Sequence, residues 1–185
     1  MTAWEKALEF TLAYEGGYVN VPEDRGGETF RGISRRMWPE WKGWAVVDAA
    51  KTSNPTGFKT ALIQDKNVLA DAVEFYRDNF WNPIHGDELP GKIAVAVFDM
   101  AVHSGVRTAV KVLQTILPGL GVDGEAGPMT IKAAHDAGED GLVNYLAARA
   151  RFLNNIMADS PDQRVWALNW FKRLFKLANV VLEGE

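Results

Sequence analysis

Two carboxylates and a hydroxyl near the front of the chain have the types and spacing to do chemistry: Glu15, Asp24 nine positions later, and Thr29 five beyond that. A carboxylic acid that keeps its proton can protonate a glycosidic oxygen, while a second carboxylate activates water or attacks carbon from the other side. A threonine hydroxyl can hold the attacking water. Each residue also has a plainer reading. Glu15 can be a surface acid before Gly16-Gly17, Asp24 can cap its own turn in Pro22-Glu23-Asp24-Arg25-Gly26-Gly27, and Thr29 is an ordinary strand residue.

The elements that must position them are legible. Thr2-Ala3-Trp4-Glu5 forms a capping box, and Trp4, Leu8, Leu12 and Glu15 recur three or four apart on one helical face. Gly16-Gly17 ends that helix, so Glu15 leaves it pointing with the apolar stripe. Residues 18–21 and 28–31 read as two strands around a turn, and Ser34 as the cap of a short helix stopped by Pro39. Residues 40–60 are Trp-rich and broken by Gly and Pro, with room for two short helices. From Asp65 the pattern is helical: 65–80, 91–104, 107–117, 128–137, 142–157 and 164–182. Residues 91–104 are apolar on most sides, as in a central buried helix. The expected fold is all-α with one small β-hairpin.

Composition narrows the function. The chain has 185 residues, no cysteine and a net charge of −4, with no Lys/Arg cluster of the size a nucleic-acid face needs. His85, His103 and His135 show no paired ligand spacing, so neither a metal nor a cofactor is expected. No apolar run reaches membrane-span length, and the first residues lack the basic and apolar regions of a signal peptide. Seven tryptophans offer flat faces that suit sugar rings.

The blocks Glu15-Gly16-Gly17-Tyr18, Asp24-Arg25-Gly26-Gly27-Glu28-Thr29 and Gly32-Ile33 resemble the signature of glycoside hydrolase family 108. Tyr76-Arg77-Asp78-Asn79-Phe80-Trp81 is similar to that family's aromatic helix end. Phe98 to Gly105, Leu113-Gln114 and Val122 to Thr130 are similar to its C-terminal peptidoglycan-binding region. The resemblance implies a lysozyme-like helical fold and an N-acetylmuramidase with Glu15 as proton donor, Asp24 and Thr29 beside it, and Tyr18, Trp81, Asp99 and His103 at the substrate. The Glu–Asp–Thr order also resembles T-even type phage lysozymes, with one residue fewer between Asp24 and Thr29 here. Where the family favours Asn, this chain has His103, which can meet a sugar amide or serve as a buried structural group; Asp99, four residues earlier, can pair with it.

The expected organisation is a catalytic region over residues 1–90 and a peptidoglycan-binding-like helical region over 91–185 in the same globular body. Two later segments stay open. Asp123-Gly124 to Thr130 is either a helix–turn–helix of that body or a wall-binding module. In the last helix Trp166, Trp170, Leu174, Leu177, Ala178 and Val181 form one stripe, with Arg164, Lys172, Arg173 and Lys176 mostly off it. Such a stripe closes a domain or lies on a membrane. The expected partner is the peptidoglycan glycan strand, acted on by a monomer without stable membrane insertion. The expected setting is a phage or prophage endolysin held in the host cytoplasm until a separate holin-type pore releases it to the periplasm and wall. Competing readings are a lytic transglycosylase and a non-catalytic wall-binding or secretion-assisting protein.

Overall fold

Thr2 and Glu5 cap the first helix reciprocally: Thr2 N donates to Glu5 Oε2 at 2.8 Å and Glu5 N to Thr2 Oγ1 at 3.2 Å. The computed structural model describes residues 1–21 and 27–182. Among them the chain is mostly helical, with eight α-helices and one small antiparallel sheet. It divides into two units, Leu8–Asn79 and Met1–Ala7 with Phe80–Glu185. Helix α1, Ala3–Tyr14, runs from one into the other.

In the unit Leu8–Asn79, α1 buries Phe10 and Thr11, leaving Leu12 and Glu15 half-buried. Three strands follow: β1 (Tyr18–Val19), β2 (Thr29–Phe30) and β3 (Ile33–Ser34), in the order β1-β2-β3. Tyr18 pairs with Phe30 and Val19 with Thr29; Thr29 pairs with Ser34 and Phe30 with Ile33. The third strand was not expected. Ser34 ends a strand instead of capping a helix, because Arg31 and Gly32 form a two-residue turn with both φ positive, 50° and 79°. That is the primed turn whose twist suits a hairpin.

Two short helices fill the segment that the sequence left open, α2 (Gly43–Ser53) and α3 (Phe58–Gln64). Asp65 then caps α4 (Lys66–Tyr76), its carboxylate accepting from Asn67 N and Val68 N. The core of this unit is aromatic. Trp41 stacks on Phe30 with centroids 6.1 Å apart and meets Trp44 edge-on at 5.1 Å. After Tyr76 the helix widens into a π turn, Arg77–Trp81, where a regular helix to Phe80 was expected.

In the other unit, α5 (Gly91–Ser104) buries every residue from Ile93 to Ala101, as its unbroken apolar run requires. Gly105, at φ 89°, ends it, and α6 (Val106–Thr115) turns back along it. Pro128 opens α7 (Pro128–Asp159), which breaks at Gly138 (φ 55°, ψ −144°), between the two helices that the pattern separates. A 3-10 segment, Pro161–Trp166, leads into α8 (Ala167–Leu182). Gln114, 3% exposed, ties the Asp123–Thr130 turn together. Its Nε2 donates to Asp123 Oδ1 at 2.7 Å and Glu125 O at 3.1 Å, and its Oε1 accepts from Gly124 N at 2.8 Å.

Candidate active site

Glu15 is the first residue beyond α1, and its amide still bonds Thr11 O at 3.3 Å. Its carboxylate faces the β2–β3 turn. A side-chain carbon at Gly32 would stand 2.5 Å from Glu15 Oε2, 2.8 Å from Glu15 Cδ and 2.6 Å from the Tyr76 hydroxyl oxygen. The turn therefore comes against the acid because residue 32 has no side chain. Arg31 beside it takes a left-handed conformation that costs a non-glycine residue about 1 kcal/mol or more. Two bonds hold it there: Arg31 N donates to Gly17 O at 3.1 Å, and the Tyr76 hydroxyl donates to Arg31 O at 2.7 Å. Tyr76 is 2% exposed, so its hydroxyl is fixed by packing. Strain kept in place beside a carboxylate is characteristic of a preorganised site.

Gly32→Ala is expected to lower the rate on isolated peptidoglycan by about 100-fold or more, since displacing an acid by an ångström has that scale. Gly119→Ala is the matched control: Gly119 lies in the other unit at φ 78°, with nothing within 4 Å of its missing side chain. It should show the same backbone strain without the loss of rate. Equal activities for the two variants would dissociate the turn from the acid.

Under the same sheet lies an ion cluster. Glu28, with its side chain 13% exposed, accepts from the Tyr18 hydroxyl at 2.7 Å, from Arg35 Nη1 at 2.8 Å and from Lys51 Nζ at 2.8 Å. Arg35 also makes a two-pronged pair with Asp48. Burial works against the Glu28 carboxylate, but the bonds from Lys51, Arg35 and Tyr18 outweigh it and hold its pKa below the usual value. Burial and the same carboxylate push the Tyr18 phenol up. Glu28 is thus a fixed anion that anchors β2 next to Thr29. Residues 28, 35, 48 and 51 show no common spacing, and only the fold brings them together.

The expected site residues fall into different places. Thr29 is half-buried on β2, and Asp24 lies outside the described residues. Tyr18 is 8% exposed, its ring against Phe58 at 4.9 Å. Trp81, 1% exposed, packs against Trp4 and Phe98 and donates Nε1 to Asp87 at 3.0 Å. Asp99 is fully buried, with Oδ2 on Arg149 at 2.7 Å and Oδ1 on Arg173 at 2.6 Å. Trp81 and Asp99 stand in the interior of their unit, one packed among aromatic rings and the other paired with two arginines. His103 keeps part of its surface, bonds Ser104 Oγ at 3.1 Å and meets the Trp170 ring edge-on at 6.0 Å. Burial, then Arg149 and Arg173, push its pKa down to about 4 against the pull of Asp99. Its imidazole is neutral at physiological pH and offers hydrogen bonds, not charge. A separate groove of about 410 Å³, floored by Trp38, Trp41 and Phe75, lies in the Glu15-bearing unit.

The family described as Glycosyl hydrolase 108 matches residues 8–105, which include Glu15, the sheet, Tyr76 and all of α5. The chain belongs to this family. A second family, described as Predicted Peptidoglycan domain, matches residues 108–175, from α6 into α8. The chain is also similar to a solved structure titled "Structure of Brucella abortus SagA", at 30% identity over 97% of this chain and 94% of that one, with a TM-score of 0.69. No curated protein matches it. The family 108 protein is therefore a glycosyl hydrolase that carries a peptidoglycan-binding domain. Gly32, Tyr76, Glu28 and Gln114 are the site and scaffold residues that spacing did not single out. Each falls inside a family-like block, and the glycine after Arg31 was the local sign of the turn.

Proposed function

We propose that this glycosyl hydrolase is an N-acetylmuramidase. It cleaves the β-1,4 bond between N-acetylmuramic acid and N-acetylglucosamine, with Glu15 protonating the leaving oxygen. The observation that carries the reading is the placement of the Glu15 carboxylate against Gly32 and the fixed Tyr76 hydroxyl, inside the family match. Asp24 supplies the second carboxylate, activating water or stabilising the oxocarbenium-like transition state, and Thr29 holds the water. Neutral His103 hydrogen-bonds an acetamido group of the glycan. The Predicted Peptidoglycan domain match supports the polymer as substrate. In this reading the protein is a phage or prophage endolysin that acts as a monomer, waits in the host cytoplasm and reaches the wall through a separate pore.

The test is product analysis of isolated peptidoglycan by mass spectrometry. Reducing N-acetylmuramic acid ends are the expected product. Anhydro ends would assign the chemistry to a transglycosylase. Wall binding without new sugar ends would overturn the enzymatic reading.

A further inference from the structure

Helix α8 has two apolar faces. One, carrying Leu174, Leu177 and Val181, is buried and closes its unit. The second, offset around the helix, carries Leu168, Phe171, Phe175 and Leu182 at spacings of three, four and seven, which share one face. Leu168 is 64% exposed, Phe175 67% and Leu182 49%, and Phe171 lies beside Phe175 with centroids 6.5 Å apart. The preceding 3-10 turn adds Val165 and Trp166, also exposed. A soluble domain seldom leaves so many large apolar side chains together on one helix.

Charge singles out the occupant. Every ionisable residue of α8 is a cation, Lys172, Arg173 and Lys176, whereas the whole chain carries −4. Arg173 turns inward to Asp99, but Lys172 and Lys176 are exposed next to the Leu168/Phe175 stripe. Arg164 precedes the helix, its Nε on Met157 O. Basic residues flanking an exposed Phe/Leu/Trp stripe are what an amphipathic helix needs to lie in the headgroup layer of an anionic bilayer. No described helix is long and apolar enough to cross a membrane, so the contact is peripheral.

We propose that α8 is a membrane-docking helix that binds anionic phospholipid surfaces through Leu168, Phe171, Phe175 and Leu182, with Lys172 and Lys176 at the headgroups. The sequence left a domain seam and a membrane face as alternatives; α8 has a separate face for each. Docking of this kind would hold a wall hydrolase at the boundary between membrane and wall. It does not depend on the muramidase reading, because vesicles contain no glycan.

The test is co-sedimentation of the full chain with large unilamellar vesicles, one set of phosphatidylcholine alone and one containing a third phosphatidylglycerol. Binding is expected to the anionic vesicles and to weaken as salt is raised. Phe175→Ser with Leu168→Ser, and separately Lys172→Gln with Lys176→Gln, should each lower partitioning by roughly tenfold or more. All four positions are exposed, so melting temperatures should stay near wild type, and so should the rate on isolated wall. Equal binding to both vesicle types, or none, overturns the proposal. So does a concentration-dependent dimer that the Ser pair abolishes, which would make a second copy the occupant. Loss of peptidoglycan binding with no vesicle binding would make the wall the occupant.

Discussion

Glu15→Gln should leave the protein folded and remove a factor of about 10² to 10⁴ from its rate on isolated peptidoglycan. Glutamine keeps the length and shape of the side chain, so its fit against Gly32 and Tyr76 survives. What it loses is a proton to give. Glu15 is only half-buried and sits just past the last turn of α1, so little stability rests on it. If the carboxyl acts as the acid, the loss falls on kcat with KM nearly unchanged, because proton transfer is an interaction of the transition state. The measurement is initial release of reducing ends over a range of wall concentrations, with a melting curve as control. A variant within threefold of wild type would exclude Glu15 as the proton donor. A rise in KM at constant kcat would make it a binding residue.

The position of Glu15 at the end of α1 was legible because its signal is local. A capping box, an apolar periodicity and two glycines fix both ends of α1, and the acid follows from where the helix stops. The break in α7 at Gly138 and the buried run of α5 were legible for the same reason. The third strand was not, since it depends on Arg31 taking a left-handed conformation that arginine does not favour. That conformation is held from 45 positions away by the Tyr76 hydroxyl. Glu28 illustrates the same limit: a glutamate in a family-like block gives no hint of a lysine and an arginine arriving from α2 and the loop before it. In α8 the apolar pattern gave one stripe, through Leu174, Leu177 and Val181, and the second, exposed face through Leu168 and Phe175 emerged only from burial. Asp99 and Trp81 show what the same reading leaves out, since nothing in their spacing announces that both are buried. Motif resemblance locates a residue in a region of a fold, while burial decides whether it faces ligand or core.

Asp99 provides the sharpest separation between those two roles. It is fully buried, Arg149 is 2% exposed, and the Arg173 side chain is 11% exposed. Burial alone would raise the Asp99 pKa, but Arg149 and Arg173 outweigh it and hold the carboxyl below its usual range. Asp99→Asn removes the anion that pairs with both guanidiniums and leaves Arg149 charged in the interior. Breaking a buried pair in this way costs about 3 to 5 kcal/mol. In a chain of this size that is a fall of about 6 to 20 °C in melting temperature. Replacing Asp99, Arg149 and Arg173 together by Leu, Met and Met should recover most of the loss, because an apolar trio of similar volume leaves no charge unpaired. If Asp99 were instead a sugar contact, Asp99→Asn would raise KM and leave the melting temperature unmoved, and the triple replacement would rescue nothing. The expected result is the first: a carboxylate paired with Arg149 on one oxygen and Arg173 on the other ties α7 and α8 to α5.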